Sequence, residues 1–196
     1  VAPNAICQNI TVPLDVNGNA TITAAQVNNG SNDACGIQST SLNVSTFSCA
    51  NLGSGNTVVL TVSDNSGNAS TCSASVTIID NIKPTAVCNN FTVALDNSGN
   101  ATATGLDFSG ASTDNCGITS RVVNPNSFTC SNLGTSPVTV ILSDLSGNSE
   151  FCFASVTVVD NIAPVITCPA NIAVNTDAGQ CGALVTFAAS ATDNCT

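Results

Sequence analysis

Apolar residues alternate with Thr and Ser along this chain in short runs, and no stretch sustains the 3.6-residue spacing of an amphipathic helix. In SASVTII, residues 73–79, small polar and apolar side chains take turns, which puts the apolar set on one face of a strand. The alternation predicts strands at residues 5–12, 20–27, 36–44, 57–63 and 72–79, with a short sixth at 46–52. Between them lie segments such as DVNGN and DNSGN. These are turn chemistry: Asp and Asn bond their own backbone, and Gly supplies positive φ. Short strands at regular spacing with such turns indicate a two-sheet β-sandwich.

The pattern then recurs. Cys7, Cys35, Cys49 and Cys72 return as Cys88, Cys116, Cys130 and Cys152, a step of about 80 residues, and Cys168 opens a third unit. CQNITVPLDVNGNATIT aligns with CNNFTVALDNSGNATAT, FSCANLG with FTCSNLG, and VSDNSGNASTCSASVTIIDNIKP with LSDLSGNSEFCFASVTVVDNIAP. A period this long means whole domains in tandem rather than a solenoid of small motifs. The expected domains are residues 1–81, residues 82–161 and a partial third repeat at 162–196 that holds only N-terminal strands. The third unit is expected to continue in further sequence; the alternative is that a neighbouring chain completes it by strand addition, since an incomplete sandwich has an unpaired edge.

Composition narrows the partners. Two Lys/Arg against twelve Asp/Glu give a net charge of −10, and only Lys83 and Arg121 could meet a phosphate backbone or an anionic membrane. Nucleic acid is therefore excluded as a partner, and no apolar run approaches the ~20 residues of a transmembrane helix. Eleven cysteines are present, none closer in sequence than the step from Cys168 to Cys181. Zinc sites use ligands two to four residues apart, usually with His, and this chain has no His. Disulfides formed in an oxidising compartment are the economical reading, and they imply an extracellular or cell-surface chain.

Several segments resemble HYR (hyalin repeat) modules, immunoglobulin-like repeats of large surface proteins in Bacteroidota-type bacteria and of some animal extracellular proteins. The resemblance rests on ITCPANI at residues 166–172, the DNC of residues 114–116 and 193–195, the D-x-S-G-N turns at Asp64 and Asp144, VTVVDNIAP, and GQCGALVTF at residues 179–187. Units one and two depart from the family, with CQN and CNN where CP is usual and with an extra cysteine at Cys49 or Cys130. The resemblance implies an all-β fold of tandem immunoglobulin-like sandwiches, about 80 residues each and stapled by disulfides. It also implies an extracellular adhesive or spacer role without catalysis. The core Trp and corner Tyr of antibody-type domains are absent.

Comparing the units gives an expected pairing. The cysteine of FSC or FTC is the variable one, and the DNC cysteine is its natural partner. The expected bonds are Cys7–Cys72, Cys35–Cys49, Cys88–Cys152, Cys116–Cys130 and Cys181–Cys195, with Cys168 left over. Two other connectivities per unit satisfy the same spacing.

Catalysis fails on inventory. The chain has no His or Tyr, Glu150 is its only glutamate, and its aspartates sit mostly in turn signatures. A carbohydrate- or protein-binding module is the alternative reading, although Trp and Tyr, the usual sugar-stacking residues, are missing and Phe47 and Phe128 sit at core-like positions. One sharper chemistry stands at the repeat boundaries, where IIDNIKP and VVDNIAP place Asp80, Asn81, Asp160 and Asn161. Cadherin linkers use a similar Asp-Asn-x-Pro pattern to hold calcium. In a sandwich of this topology the loops carrying Asp114, Asn115 and Asp144 come towards Asp80, and Asp193 would do the same for Asp160. These are hard oxygen ligands of the kind calcium prefers. Against this stands a polar junction made rigid by its proline. Eight Asn-x-Ser/Thr sequons stand against roughly six that composition gives by chance, so their number is no evidence of glycosylation. No other cofactor is expected. The sequence reading is a non-catalytic structural or adhesive repeat protein forming a stiff stalk or filament, whose partners are further copies of itself or an extracellular glycan or surface ligand.

Overall fold

The computed structural model describes residues 1–195. The first repeat contributes strands β1 (Ile10–Pro13) and β2 (Asn19–Thr21), a helical turn α1 (Ala24–Val27), then β3 (Ile37–Leu42), β4 (Thr46–Ser48), β5 (Gly53–Asp64) and β6 (Ala69–Ile79). The second follows the same order with β7 (Phe91–Ala94), β8 (Asn100–Thr102), α2 (Gly105–Ser109), β9 (Ile118–Asn124), β10 (Ser127–Thr129), β11 (Gly134–Asp144) and β12 (Ser149–Val159). Beyond it, β13 (Val165–Thr167) pairs antiparallel with β14 (Ser190–Thr192).

Two sheets serve each repeat. The larger runs β1-β6-β5-β3 in the first and β7-β12-β11-β9 in the second, and the smaller pairs β2 with β4 and β8 with β10. The alternation in the sequence becomes the core. Val58, Leu60 and Val62 of β5 and Ala74, Val76 and Ile78 of β6 are buried, and they form one cluster with Ala20 and Phe47 from the smaller sheet. Val138, Val140, Leu142, Val156 and Val158 are the buried set of the second large sheet. The side chains between them on the same strands face outwards, as the two-residue period requires.

One pairing decides where the loops go. β1 runs parallel to β6, with Pro13 opposite Ile79, whereas β5 and β6 form an antiparallel hairpin. The β1–β2 turn, which contains Gly18, is therefore at the Asp80 end of the sheet. The β5–β6 turn is at the other end, one eleven-residue strand away, or about 35 Å.

Two expected strands differ. Residues 20–27 stop being a strand at Thr21, and Ala24–Val27 is a turn of helix. The Gln26 side chain accepts a hydrogen bond from the Thr23 backbone N–H at 2.8 Å, and Asp107 does the same for Thr104 at 2.7 Å. The Thr-x-x-Gln and Thr-x-x-Asp spacing is a capping signature that was legible in the sequence. These turns bury Val27 and Phe108, the latter meeting Phe91 edge to face at 5.6 Å. The short strand expected at 46–52 ends at Ser48, and Cys49–Asn51 forms a 3₁₀ turn.

The β5–β6 turn is held by Asp64, which is 1% exposed. One of its carboxylate oxygens accepts from the Ser66 and Asn68 backbone N–H groups and the other from Asn68 Nδ2, all at 2.8 Å. The Asn68 side-chain bond, aided by those backbone bonds, holds the Asp64 carboxyl below the ordinary carboxylate range against the opposing effect of burial.

Leu60 is fully buried between the sheets. Leu60→Ala is expected to cost roughly 2–5 kcal/mol in denaturant unfolding, and a loss under 1 kcal/mol would contradict this core. A carboxyl with a depressed folded pKa adds stability above its unfolded pKa and loses it as pH falls through the folded value. The melting temperature of Asp64→Asn should accordingly lie below that of the parent at neutral pH. The two should converge in strong acid, and a constant gap would show that Asp64 ionisation is not involved.

Candidate metal centre

The chain divides into two compact units that do not follow the sequence repeats. One unit joins Val1–Val87 with Ala111–Arg121 and Ile141–Phe151, and the other joins Cys88–Gly110, Val122–Val140 and the chain from Cys152 onwards. The first unit thus includes two loops that belong in sequence to the second repeat. The bonds that recruit them define the site.

In the first unit, carboxylate oxygens of Asp80, Asp114 and Asp144 lie within 4.8 Å of one another. Asp80 follows β6, Asp114 precedes β9, and Asp144 ends β11, where it opens the D-x-S-G-N turn. Asp144 is held like Asp64: Asn148 donates to it from its backbone N–H at 2.9 Å and from Nδ2 at 2.7 Å. That Nδ2 also donates to the Asp80 carbonyl at 3.0 Å. Asn115 Nδ2 donates to Asp80 Oδ1 at 3.1 Å, and the Ile82 N–H donates to the same oxygen at 3.0 Å.

Three oxygens at this site are left over. Asp80 Oδ2, Asp114 Oδ2 and Asn115 Oδ1 are buried without a hydrogen-bond partner, and Asp80 as a whole is 5% exposed. Buried acceptors are normally satisfied, so three orphans on residues of this cluster and its neighbour Asn115 are informative. Lys83 lines a cleft with Asp114 and Asn115, and its ammonium pairs with Glu150 at 3.7 Å. Like charges this close repel one another unless a cation sits among them. Oxygens that share a calcium ion, each at about 2.4 Å, lie at most about 4.8 Å apart. The donor set is all oxygen and mostly carboxylate, which fits calcium and does not fit zinc. Asp114 and Asn115 also line an open cleft with Val16, Ile82 and Thr85, which offers a path to the site.

The second unit repeats part of this set. Asn194 Nδ2 donates to Asp160 Oδ1 at 3.2 Å, and Asn194 Oδ1 is again buried and unpartnered. The Asp193 side chain accepts from the Asn194 N–H. In the repeat register the position matching Asp144 falls past residue 196. Asn81 and Asn161, expected as ligands, are exposed.

A disulfide holds the recruited Asp114 loop in place, and the Asn148 bond to the Asp80 carbonyl holds the Asp144 loop. Cys7–Cys72 and Cys88–Cys152 are bonded within the repeats. The expected Cys35–Cys49 and Cys116–Cys130 bonds are replaced by Cys49–Cys116 and Cys130–Cys195, so the expected Cys181–Cys195 bond is absent too. Distance is the reason. Ser48 pairs with Asn19, which sets Cys49 beside Gly18 at the Asp80 end of the sheet. The Cys35 carbonyl accepts from Asn65 Nδ2 at 2.9 Å, at the opposite end. A disulfide spans no more than about 7 Å between α-carbons, far less than a strand length. Cys35, Cys168 and Cys181 are unbonded and exposed.

Gly18 shows how closely the bonded loop approaches. A Cβ there would lie 2.6 Å from Cys49 Sγ and 2.7 Å from the Asn115 carbonyl, and its φ is +73°. Gly99 stands in the same relation to Cys130 and Asn194, at 2.7 and 2.8 Å. Only glycine fits such a place, for both conformational and steric reasons.

No family model matches the chain, and no curated protein matches it. Among solved structures it is similar to protocadherin gamma B7 extracellular cadherin domains 1-4 at 11% identity and a TM-score of 0.36, over 100% of this chain and 60% of that one. Human protocadherin-24 EC1-2 gives 14% identity and 0.41, over 82% and 100%. The N-terminal Ig1-2 module of the Drosophila receptor protein tyrosine phosphatase DLAR gives 12% and 0.25, over 81% and 100%. The chain thus spans about 60% of the first of these structures. Among the described residues no helix is long and apolar enough to cross a membrane.

The four disulfide loops overlap in series along the chain: 7–72 with 49–116, that with 88–152, and that with 130–195. Residues 73–87 are spanned by Cys49–Cys116 alone. If a protease site is placed between Asn81 and Ile82 and cut, the two halves should run as one species without reductant and as two with it. Separation without reductant would refute the cross-repeat bond.

Proposed function

We propose that this is a non-catalytic extracellular structural and adhesive repeat protein of the HYR type. In this reading, immunoglobulin-like modules in tandem are clamped end to loop by disulfides and by calcium at Asp80, Asp114 and Asp144, and they build a stiff stalk or filament. Its partners would be further repeats of the same kind. The observation that carries the reading is the bond from Cys49 to Cys116, repeated from Cys130 to Cys195, which ties each FSC or FTC turn to the DNC loop of the following repeat. A catalytic protein gains nothing from such a ladder, whereas a chain that transmits tension or resists proteases does. Four disulfides favour an oxidising, extracellular setting.

Calcium would be held by the carboxylates of Asp80, Asp114 and Asp144 with the amide oxygen of Asn115, and it would supply positive charge among the three carboxylates. Binding is expected in the range of extracellular modules, about 10⁻⁴–10⁻³ M. At ten times the dissociation constant it adds roughly 1.4 kcal/mol to folding stability. Calorimetric titration of the oxidised chain should show heat, and calcium should raise the melting temperature relative to a chelator. Asp144→Asn keeps an acceptor for the Asn148 N–H and removes the second carboxylate oxygen and the charge, and it should abolish both effects. No heat and no thermal shift in the parent protein would remove calcium from the reading.

A further inference from the structure

The first repeat carries the same loop that the structure shows bonded twice elsewhere. Asp33-Ala34-Cys35-Gly36 stands in register with Asp114-Asn115-Cys116-Gly117. The conformations agree as well. Asp33 Oδ1 accepts from the Cys35 N–H at 2.8 Å and Asp114 Oδ1 from the Cys116 N–H at 2.9 Å. The glycines that follow have φ of +89° and +92°. Beside Cys35, Asp64 with Asn68 repeats the hydrogen bonds of Asp144 with Asn148. Cys35 therefore sits in the local geometry of a bonded Cys116, next to two carboxylates placed like those of the metal centre, yet it is exposed and unbonded.

Both bonded counterparts have one kind of partner. Cys116 and Cys195 each join the cysteine of an F-S/T-C turn that follows the short strand of the preceding repeat. In the first unit that partner arrives together with the Asp80 carboxylate at the end of the long strand. We propose that the face formed by Asp33, Cys35 and Asp64 is a docking surface for the trailing end of another module of this same type, covalently closed by a disulfide from its F-S/T-C cysteine to Cys35. The occupant is not a second copy of the chain as it stands, because Cys49 and Cys130 are already bonded. It is a module whose F-S/T-C cysteine is a free thiol. Ala34 replaces the asparagine of the other two loops, so the sulfur bond rather than an amide contact secures this junction. In forming it, the two thiols lose two protons and two electrons to a disulfide oxidant, which leaves as a dithiol.

The proposal builds on the repeat reading but not on calcium, and a negative calcium titration leaves it standing. Its test is to fuse a copy of residues 1–81 ahead of Val1, so that Asp80-Asn81 of the added copy precedes Val1 as the same pair precedes Ile82. After oxidative folding, Cys35 of the original chain should pass from nearly complete to nearly no alkylation. Non-reducing peptide mapping should recover it bonded to Cys49 of the added copy. If Cys35 remains alkylatable while the added copy forms its own Cys7–Cys72 bond, the proposal fails. Should the added copy not form that bond, mapping of the protein as its source secretes it decides. Cys35 joined to an F-S/T-C cysteine supports the docking surface, and Cys35 found free or joined to any other cysteine overturns it.

Discussion

A disulfide must hold two α-carbons within about 7 Å, and in this protein that short tether is stretched across a repeat boundary in sequence. Cys49 and Cys116 are 67 residues apart and their α-carbons 5.4 Å apart. Once that bond exists, Asn115 must lie against Gly18, and Asp114 must lie near Asp80. The parallel pairing of β1 with β6, the 3₁₀ turn that presents Cys49 and the glycine at position 18 together bring those groups to one end of the sheet.

The energetic logic is that of a small domain with limited core. Each bonded loop of some 65 residues is worth about 4 kcal/mol in the chain-entropy model. Overlapping loops do not add independently. What the overlap adds is continuity: no backbone segment between Cys7 and Cys195 is left outside a closed covalent loop. The packed valine and leucine faces stabilise each sheet, and the sulfur bonds determine which loops a sheet end keeps.

At that same end the polar chemistry has two layers. Asn148 and Asn115 organise the carboxylates by donating to them and to the backbone, as Asn68 does for Asp64. These donors leave Asp80 Oδ2, Asp114 Oδ2 and Asn115 Oδ1 buried and uncovered, beside the cluster of Asp80, Asp114 and Asp144. A turn motif that reads as backbone hydrogen bonding at one end of the repeat becomes, beside the end of another strand, a candidate ligand set.

Alternation of apolar with Thr and Ser determined the strands, and Asp, Asn and Gly determined the turns, because those preferences act over two to five residues and need no distant partner. The proximity of Asp80, Asp114, Asn115 and Asp144 was also legible, since repeat register alone relates them. The helical turns at Ala24–Val27 and Gly105–Ser109 were visible in Thr-x-x-Gln and Thr-x-x-Asp but masked by the apolar alternation around them. The pairing of cysteines was not legible. Each full repeat holds one FSC or FTC cysteine and one cysteine in a DAC or DNC loop, so bonding within a repeat and bonding to the next both draw on one cysteine of each kind. Only the tertiary structure decided between them, because it sets Cys35 and Cys49 at opposite ends of an eleven-residue strand, and no covalent bond can reach across that length.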